Sequence, residues 1–177
     1  MVGTDETRLV ILRGNSASGK SSVAAGIRER FGRGVALVGQ DNLRRVVLRE
    51  RDRPGAANIG LIDLTARYAL DAGYHVVLEG ILYADHYGPM LARLRDDHRG
   101  PTHGYYFDVP FEETLARHAT KPIAADVPQD MLRSWYRPLD LLPGDVESVV
   151  DAGSALEATV ERIMRDSGLA GLPALEP

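Results

Sequence analysis

The chain contains no cysteine, and this absence removes several kinds of chemistry at once. Disulfide bridges, thiolate metal centres and cysteine nucleophiles are all excluded. Lysine is almost as scarce, because Lys20 and Lys121 are the only lysines among 21 basic residues. Arginine is therefore the default cation of this chain, and each of the two lysines becomes a candidate for a specific role.

Long runs of one residue type are also missing. The apolar runs have the length of β-strands, whereas a membrane-spanning helix needs about 20 apolar residues. No long basic run occurs and the net charge is −4, so a nucleic-acid partner is disfavoured. The N-terminal segment is polar and acidic, unlike a secretory signal. Together these absences lead us to expect a cytoplasmic protein with no membrane partner.

The order of apolar and helical patterns predicts the fold class. Apolar residues make up 44% of the 177 residues, which is enough for a single domain over residues 1–177 with a substantial core. Runs of strand length alternate with helical patterns, which is typical of a doubly wound α/β domain with a five-stranded parallel sheet. A loose tail is expected from about residue 168. The predicted strands cover residues 8–13, 35–38, 75–78, 105–109 and 148–150.

A phosphate-binding loop is the most specific motif in the chain. Residues 14–21 read GNSASGKS and fit the pattern G-x-x-x-x-G-K-[ST], between an apolar strand and a helical stretch. The loop's backbone N–H groups would cradle the phosphates of ATP, Lys20 would reach the β- and γ-phosphates, and Ser21 would bind Mg²⁺. The alternative is a glycine turn at a strand–helix junction. The nucleotide-binding candidates from the motif are Gly14, Asn15, Ser16, Ala17, Ser18, Gly19, Lys20, Ser21 and Ser22.

Two carboxylates follow strands at the same predicted edge of the sheet. Asp41 comes just after the second strand, where it could accept the proton of a substrate hydroxyl or cap the following helix, predicted from 41 to 49. Glu79 comes just after the third strand, where it could hold Mg²⁺ through water or bind a substrate hydroxyl. A salt-bridged surface residue is the alternative for Glu79. Gly80 would let a ligand approach closely.

Arginines are concentrated in the segment 44–53. Most of them are expected to form a solvated helix face, but some could bind an anionic or polyhydroxylated substrate. Arg45 is the preferred substrate-binding candidate, because it lies one helical turn from Asp41.

Further cations lie near the Pro-rich segment of about 120–145, which we expect to form a lid. Arg133 and Arg137 are four residues apart, so both should point one way from a short helix, where either could act like an arginine finger. Lys121 is a third cation of this segment. Arg117 precedes it and could stack on an adenine ring, although a surface position would explain it equally well.

The chain resembles the small P-loop phosphotransferases with an adenylate-kinase-like core, such as chloramphenicol phosphotransferase and related antibiotic kinases. The residues that carry the resemblance are Gly14–Ser21, Asp41, Leu78-Glu79-Gly80, Thr114–His118 and the short last strand before Ser154. The resemblance implies that Asp41 is the catalytic base and that Arg133 or Arg137 contacts nucleotide phosphates. It further implies that Arg117 flanks the adenine and that Gly153 or Ser154, in the loop after the last strand, borders it.

These observations predict an ATP- and Mg²⁺-dependent kinase that phosphorylates a hydroxyl of a small molecule, as an antibiotic inactivation or self-resistance step. The arginine-rich segment departs from the resemblance and indicates a more polar acceptor than chloramphenicol, for example a nucleoside-type antibiotic. One alternative is a zeta-toxin-like kinase acting on a nucleotide sugar. Another is a P-loop protein that senses nucleotide and acts by binding a partner. Assembly as a homo-oligomer stays open.

Overall fold

The computed structural model describes residues 1–120 and 127–174. Within them, five parallel strands form one sheet in the order β2–β3–β1–β4–β5, flanked by helices on both faces. This architecture confirms the predicted fold class. The strands are β1 (Leu9–Gly14), β2 (Val35–Gly39), β3 (His75–Gly80), β4 (Thr102–Asp108) and β5 (Glu147–Asp151).

Two apolar clusters cover the two faces of the sheet. Alternate residues of β1 face opposite sides, so Val10 and Leu12 belong to one cluster while Leu9 and Ile11 belong to the other. The first cluster packs under α1 and α6, and the second under α2 and α3. None of the helices in the described ranges combines the length and the hydropathy needed to cross a bilayer. The helices are α1 (Lys20–Phe31), α2 (Ala57–Asp71), α3 (Ala84–Asp97), α4 (Phe111–Ala119), α5 (Gln129–Trp135) and α6 (Leu156–Asp166).

Some predicted boundaries were wrong at the carboxyl edge of the sheet, where the site lies. β3 continues through Gly80, so Glu79 lies within the strand rather than after it. The reason is that β3 is paired on both sides, with Glu79 opposite Gly39 of β2 and Leu12 of β1. The predicted helix over 41–49 is instead a π-helical turn at Asn42–Val47, closed by a 3.1 Å hydrogen bond from Leu48 N to Leu43 O.

The expected loose tail was also wrong over its first residues. A short 3₁₀ helix follows α6 at Leu169–Gly171, and the Leu169 side chain is buried in the first apolar cluster. Burying one leucine stabilises the folded chain by about 1.5–3 kcal/mol, which favours packing of this segment against α6. The segment therefore belongs to the packed domain through Leu172, which also contacts the cluster.

Candidate functional site

The phosphate-binding loop runs from the last residue of β1 into the first turn of α1. Gly14 has a φ of 140°, and a Cβ there would lie 2.6 Å from the carbonyl oxygen of Phe107. Ala17 and Gly19 also have positive φ values, 59° and 102°. Left-handed residues within a short loop are typical of the backbone concavities that bind anions. The first turn of α1 carries no acidic residue of its own, and the positive end of the helix favours an anion there.

Lys20 and Ser21 carry the polar groups that the motif assigns to the nucleotide. Lys20 is buried, and its Nζ donates hydrogen bonds to Asn15 O at 2.7 Å and to Ser18 Oγ at 3.1 Å. The Ser21 hydroxyl donates to Glu79 Oε2 at 3.1 Å. The structure thus brings together both residues predicted to bind the metal, Ser21 and Glu79.

These residues fit a magnesium ion bound together with a nucleotide. A hydroxyl and a carboxylate are the hard oxygen ligands that Mg²⁺ prefers, and the ion usually takes its other ligands from water and substrate phosphates. Across the described ranges, no cluster of three or more metal-ligating side chains occurs.

Asn15 uses its side chain within the protein. Its Nδ2 donates to Arg137 O at 2.7 Å, and its Oδ1 accepts from Arg137 N at 2.8 Å. The buried amide therefore fastens the chain after α5 to the phosphate-binding loop. Only the main chain of Asn15 is left to serve the predicted role in nucleotide binding.

A cavity of about 580 Å³ opens beside the phosphate-binding loop, and we call it the nucleotide cavity. Arg117 borders it, donating to Ser18 O at 3.3 Å and to Ala152 O at 3.2 Å and pairing with Glu113. Ser154 also lines it, so the two residues predicted to flank an adenine border one cavity. Its further lining residues include Ser18, Gly19, Ser22, Phe107, Val150 and Thr159.

Asp41 lies at the carboxyl end of β2 with a largely exposed side chain. Its Oδ1 accepts a hydrogen bond from Arg44 at 3.1 Å and forms an ion pair with Arg45 Nε at 3.2 Å. Its side chain makes no capping hydrogen bond, so the alternative of a helix cap is not what the structure contains. Among the described residues none donates to Oδ2, which leaves that oxygen facing solvent and able to accept a proton.

A second cavity, of about 430 Å³, is lined by Arg44 and Arg45, the two arginines that pair with Asp41, and we call it the acceptor cavity. Its lining also includes Arg51 and Asp52. The guanidinium of Arg45 lies 5.6 Å from the centre of the Trp135 ring, which lines the same cavity. The lining residues are Arg44, Arg45, Arg51, Asp52, Ile81, Tyr83, Met131 and Trp135.

Sequence reasoning missed a buried polar network behind this cavity. Gln40 Nε2 donates to Asp52 Oδ2 at 3.0 Å and to the Tyr87 hydroxyl at 2.7 Å, while Gln40 Oε1 accepts from Leu82 N at 3.2 Å. Burial, with the charge of Asp52 adding to it, raises the pKa of Tyr87, so its hydroxyl stays protonated. The network fixes the backbone immediately before Asp41.

Gly80 serves this network and not a ligand, so the expected close approach of a ligand there was wrong. A Cβ at Gly80 would lie 2.5 Å from Gln40 Oε1 and 2.6 Å from Gln40 Cβ. The side chain of Gln40 fills the space that the glycine leaves. The sequence shows only a glycine at the end of a strand. The side chain that occupies the space beside it, Gln40, follows a different strand.

The lid arginines do not point one way, and that prediction was wrong. The helix α5 ends at Trp135, so Arg137 lies beyond it, before Pro138, which disfavours helical backbone in the preceding residue. Arg133 stacks over the Phe111 ring at 4.3 Å, whereas Arg137 stacks over the Tyr83 ring at 3.9 Å and pairs with Asp85 at 2.7 Å. Lys121 lies outside the described residues.

The contact between Arg137 and Asp85 sets the charge states beside the acceptor cavity. The hydrogen bond from Arg137 lowers the pKa of the Asp85 carboxyl, so this carboxylate stays ionised. Burial raises the pKa of the Tyr83 hydroxyl to about 12. That hydroxyl donates to Trp135 O at 2.7 Å and ties the end of α5 to the start of α3.

Arg13 is a second residue that sequence reasoning passed over. Its fully buried guanidinium binds both carboxylate oxygens of Glu147 at 2.9 Å, and its Nε donates to Leu82 O at 2.9 Å. It also donates to Asp140 O at 2.9 Å. The feature of the sequence that could have identified it is an arginine near the end of an apolar strand. Its role is to hold the chain between α5 and β5 next to the site.

No protein-family model and no curated protein matches the sequence, but solved structures match the fold. The APS kinase of Mycobacterium tuberculosis in complex with AMPPNP and APS has a TM-score of 0.72 at 17% identity, covering 94% of this chain and 98% of that one. A sugar kinase from a Janibacter species gives 0.69 at 22%, covering 96% and 99%. A gluconokinase from Sinorhizobium meliloti gives 0.62 at 17%, covering 95% and 94%.

These likenesses establish that the chain has the fold of the P-loop kinases. At such low identities the substrates of those proteins do not transfer to this chain. The closer resemblance to chloramphenicol phosphotransferase is not confirmed and stays a prediction.

Proposed function

We propose that the chain is an ATP-dependent phosphotransferase that moves the γ-phosphoryl group of ATP to a hydroxyl of a small molecule. One observation carries this proposal. The hydrogen bond between Ser21 and Glu79 lies at the phosphate-binding loop, at the same carboxyl edge of the sheet as the nucleotide cavity and the acceptor cavity. The kinases that share the fold are supporting context.

The nucleotide half of the proposal assigns roles to residues of the loop and of the nucleotide cavity. The backbone N–H groups of residues 15–21 bind the phosphates, and the Lys20 ammonium turns from Asn15 O and Ser18 Oγ toward the β- and γ-phosphates. Ser21 and Glu79 hold Mg²⁺, which neutralises phosphate charge when bound. Arg117 and Ser154 border the adenine.

Asp41 is the proposed general base. Its Oδ2 accepts the acceptor's hydroxyl proton as the hydroxyl oxygen bonds to the γ-phosphorus. The bond between that phosphorus and the bridging oxygen breaks, and ADP leaves with the electron pair. Arg44 and Arg45 hold the carboxylate through Oδ1, which orients Oδ2 for this task. Lid cations, Arg133 or Arg137 among them, are proposed to approach the transferring group.

The narrower proposal is that the acceptor is a hydroxylated antibiotic, with nucleoside-type compounds the first to test. The arginines of the acceptor cavity equally favour a second candidate, a kinase of nucleotide sugars, because their diphosphates are anionic. Both candidates require transfer to an alcohol. They differ in which compound is phosphorylated and in whether expression of the protein is toxic.

The test is ATP consumption by the full chain with Mg²⁺, screened against hydroxylated antibiotics, nucleosides and UDP-sugars, with mass spectrometry of the product. We expect one acceptor class to raise ATP turnover and to gain a single phosphoryl group. Turnover that is the same with and without every acceptor, together with a nucleotide-dependent change in partner binding, would instead support the sensor alternative. The Lys20→Ala variant is the control for contaminating kinases.

A further inference from the structure

The acceptor cavity carries an excess of positive charge. Three guanidinium groups and one carboxylate, that of Asp52, line it, and the carboxylate of Asp41 pairs with Arg44 and Arg45. Asp52 is already engaged, since it accepts from Gln40 at 3.0 Å and its other oxygen lies 2.9 Å from the Tyr87 hydroxyl and 3.3 Å from His86 Nδ1. The carboxylates near the cavity therefore do not neutralise all the positive charge of its arginines.

The three arginines are not equivalent. Arg44 is nearly buried; it bonds to Asp41 Oδ1 and to Glu50 O, and its buried Nε has no hydrogen-bond partner among the described residues. Arg45 is about one-third exposed and reaches both Asp41 and the Trp135 ring. Arg51 is exposed, and no residue in the described ranges forms an ion pair or hydrogen bond with its side chain. Arg45 and Arg51 are thus the two that present charge to a ligand.

The other lining residues of the cavity have a different chemistry. They are Ile81, Tyr83, Met131 and Trp135, and the Tyr83 hydroxyl is engaged because it donates to Trp135 O. These side chains suit a ring or an apolar body and not a second charge. At about 430 Å³ the cavity has the size of a site for one small molecule.

We infer that the acceptor is an anion with a ring or apolar body, bound through a carboxylate or phosphate to Arg45 and Arg51. That the bound anion is the phosphoryl acceptor rests on the proposed function. That an anion binds in this cavity does not.

The experiment measures binding to the full chain without ATP, by calorimetry at low ionic strength, using matched anionic and neutral compounds. Uridine monophosphate against uridine tests a phosphate, and glucuronate against glucose tests a carboxylate. A charge-assisted contact contributes about 1.5–3 kcal/mol, so we expect the anionic member of at least one pair to bind roughly tenfold or more tightly. Raising the salt concentration should reduce that preference.

Variants identify which arginines cause the preference for the anionic compound. Arg51→Gln and Arg45→Gln should each remove most of the preference for the anion, whereas Arg53→Gln, an exposed change in the same segment outside the cavity lining, should leave it intact. Because binding is measured without ATP, its outcome does not depend on the proposed phosphoryl transfer, and the two can fail separately. Equal binding of both members of each pair, an undiminished preference in Arg51→Gln, or no measurable binding of either anion would overturn the inference.

Discussion

The side chain of Asn15 holds both backbone polar groups of Arg137, at 2.7 Å to its carbonyl and 2.8 Å from its N–H. These residues are 122 positions apart in the chain. The contact joins the phosphate-binding loop to the segment that follows α5. Met131 and Trp135 of α5 line the acceptor cavity. It also directs the Arg137 side chain toward Tyr83 and Asp85. The two halves of the site are thus linked through one buried amide.

Replacing Asn15 with alanine should weaken this link. Two buried hydrogen bonds are lost, each contributing about 0.5–1.5 kcal/mol, so the free energy of unfolding should fall by about 1–3 kcal/mol. Urea unfolding measures the change, and the exposed Asn42→Ala is the matched control. We also expect the KM for ATP to rise, because the loop loses its support. Unchanged stability would show that the amide pair is not maintained in solution.

Replacing Lys20 with alanine tests the assignment of the loop. The ammonium lies within the loop, where it contacts Asn15 O and Ser18 Oγ. We expect the variant to lose nearly all ATP turnover, since a phosphate-binding lysine both binds the nucleotide and stabilises the charge that develops during transfer. Circular dichroism should show that it folds. Normal kinetics with any acceptor would discredit the phosphate-binding role.

Replacing Asp41 with asparagine tests the general base. The amide keeps the size of the side chain and an oxygen for Arg44 and Arg45, but it cannot accept the proton. Turnover should fall by roughly 10²–10⁴-fold, while the affinity for ATP stays the same. Steady-state kinetics and nucleotide titration measure the two separately. If turnover is normal, the carboxylate serves only to pair with its arginines.

His75 should make folding sensitive to acid. Burial, aided by the charge of Arg8, lowers the pKa of its imidazole, and Nδ1 accepts a 3.1 Å hydrogen bond from Arg8 N. The unfolded chain takes up the proton near pH 6.5, above the folded pKa. The stability from neutral His75 is therefore full above about pH 6.5 and declines as the pH falls toward the lower folded value.

The variant His75→Asn isolates this contribution, because Asn keeps an acceptor for Arg8 N but does not titrate. Burial also lowers the pKa values of His98 and His103, so some acid sensitivity should remain in the variant. Urea unfolding between pH 7.5 and 5 should give a shallower decline than in the original chain. Parallel declines would mean that His75 is accessible to protons in the folded state.

The sequence predicted the parts of the site that are contiguous or lie at strand ends. The loop at Gly14–Ser21 was predictable because one short motif contains all its determinants. The meeting of Ser21 with Glu79 followed from strand order alone, since β3 lies next to β1. The parallel sheet was predictable because apolar strands alternate with helical stretches along the chain, and each of these elements has its own local sequence pattern.

The directions of side chains could not be predicted where distant residues set them. Arg137 points away from Arg133 because Asn15 and Pro138 fix its backbone, and neither contact is visible in the spacing of the two arginines. Asp52 lies in an arginine-rich stretch that reads as solvated. It becomes part of the site only through Gln40 and Tyr87, which come from two other segments.

A crystal structure of the full chain with AMPPNP and Mg²⁺ is the most direct test of the central claim, that the loop at Gly14–Ser21 binds a nucleotide. We expect the phosphates to be surrounded by the loop's N–H groups, with Lys20 and the Ser21 hydroxyl in contact. The base should lie in the nucleotide cavity beside Arg117. A nucleotide found elsewhere, or a loop whose amides and Lys20 keep their present partners at saturating nucleotide, would contradict the claim.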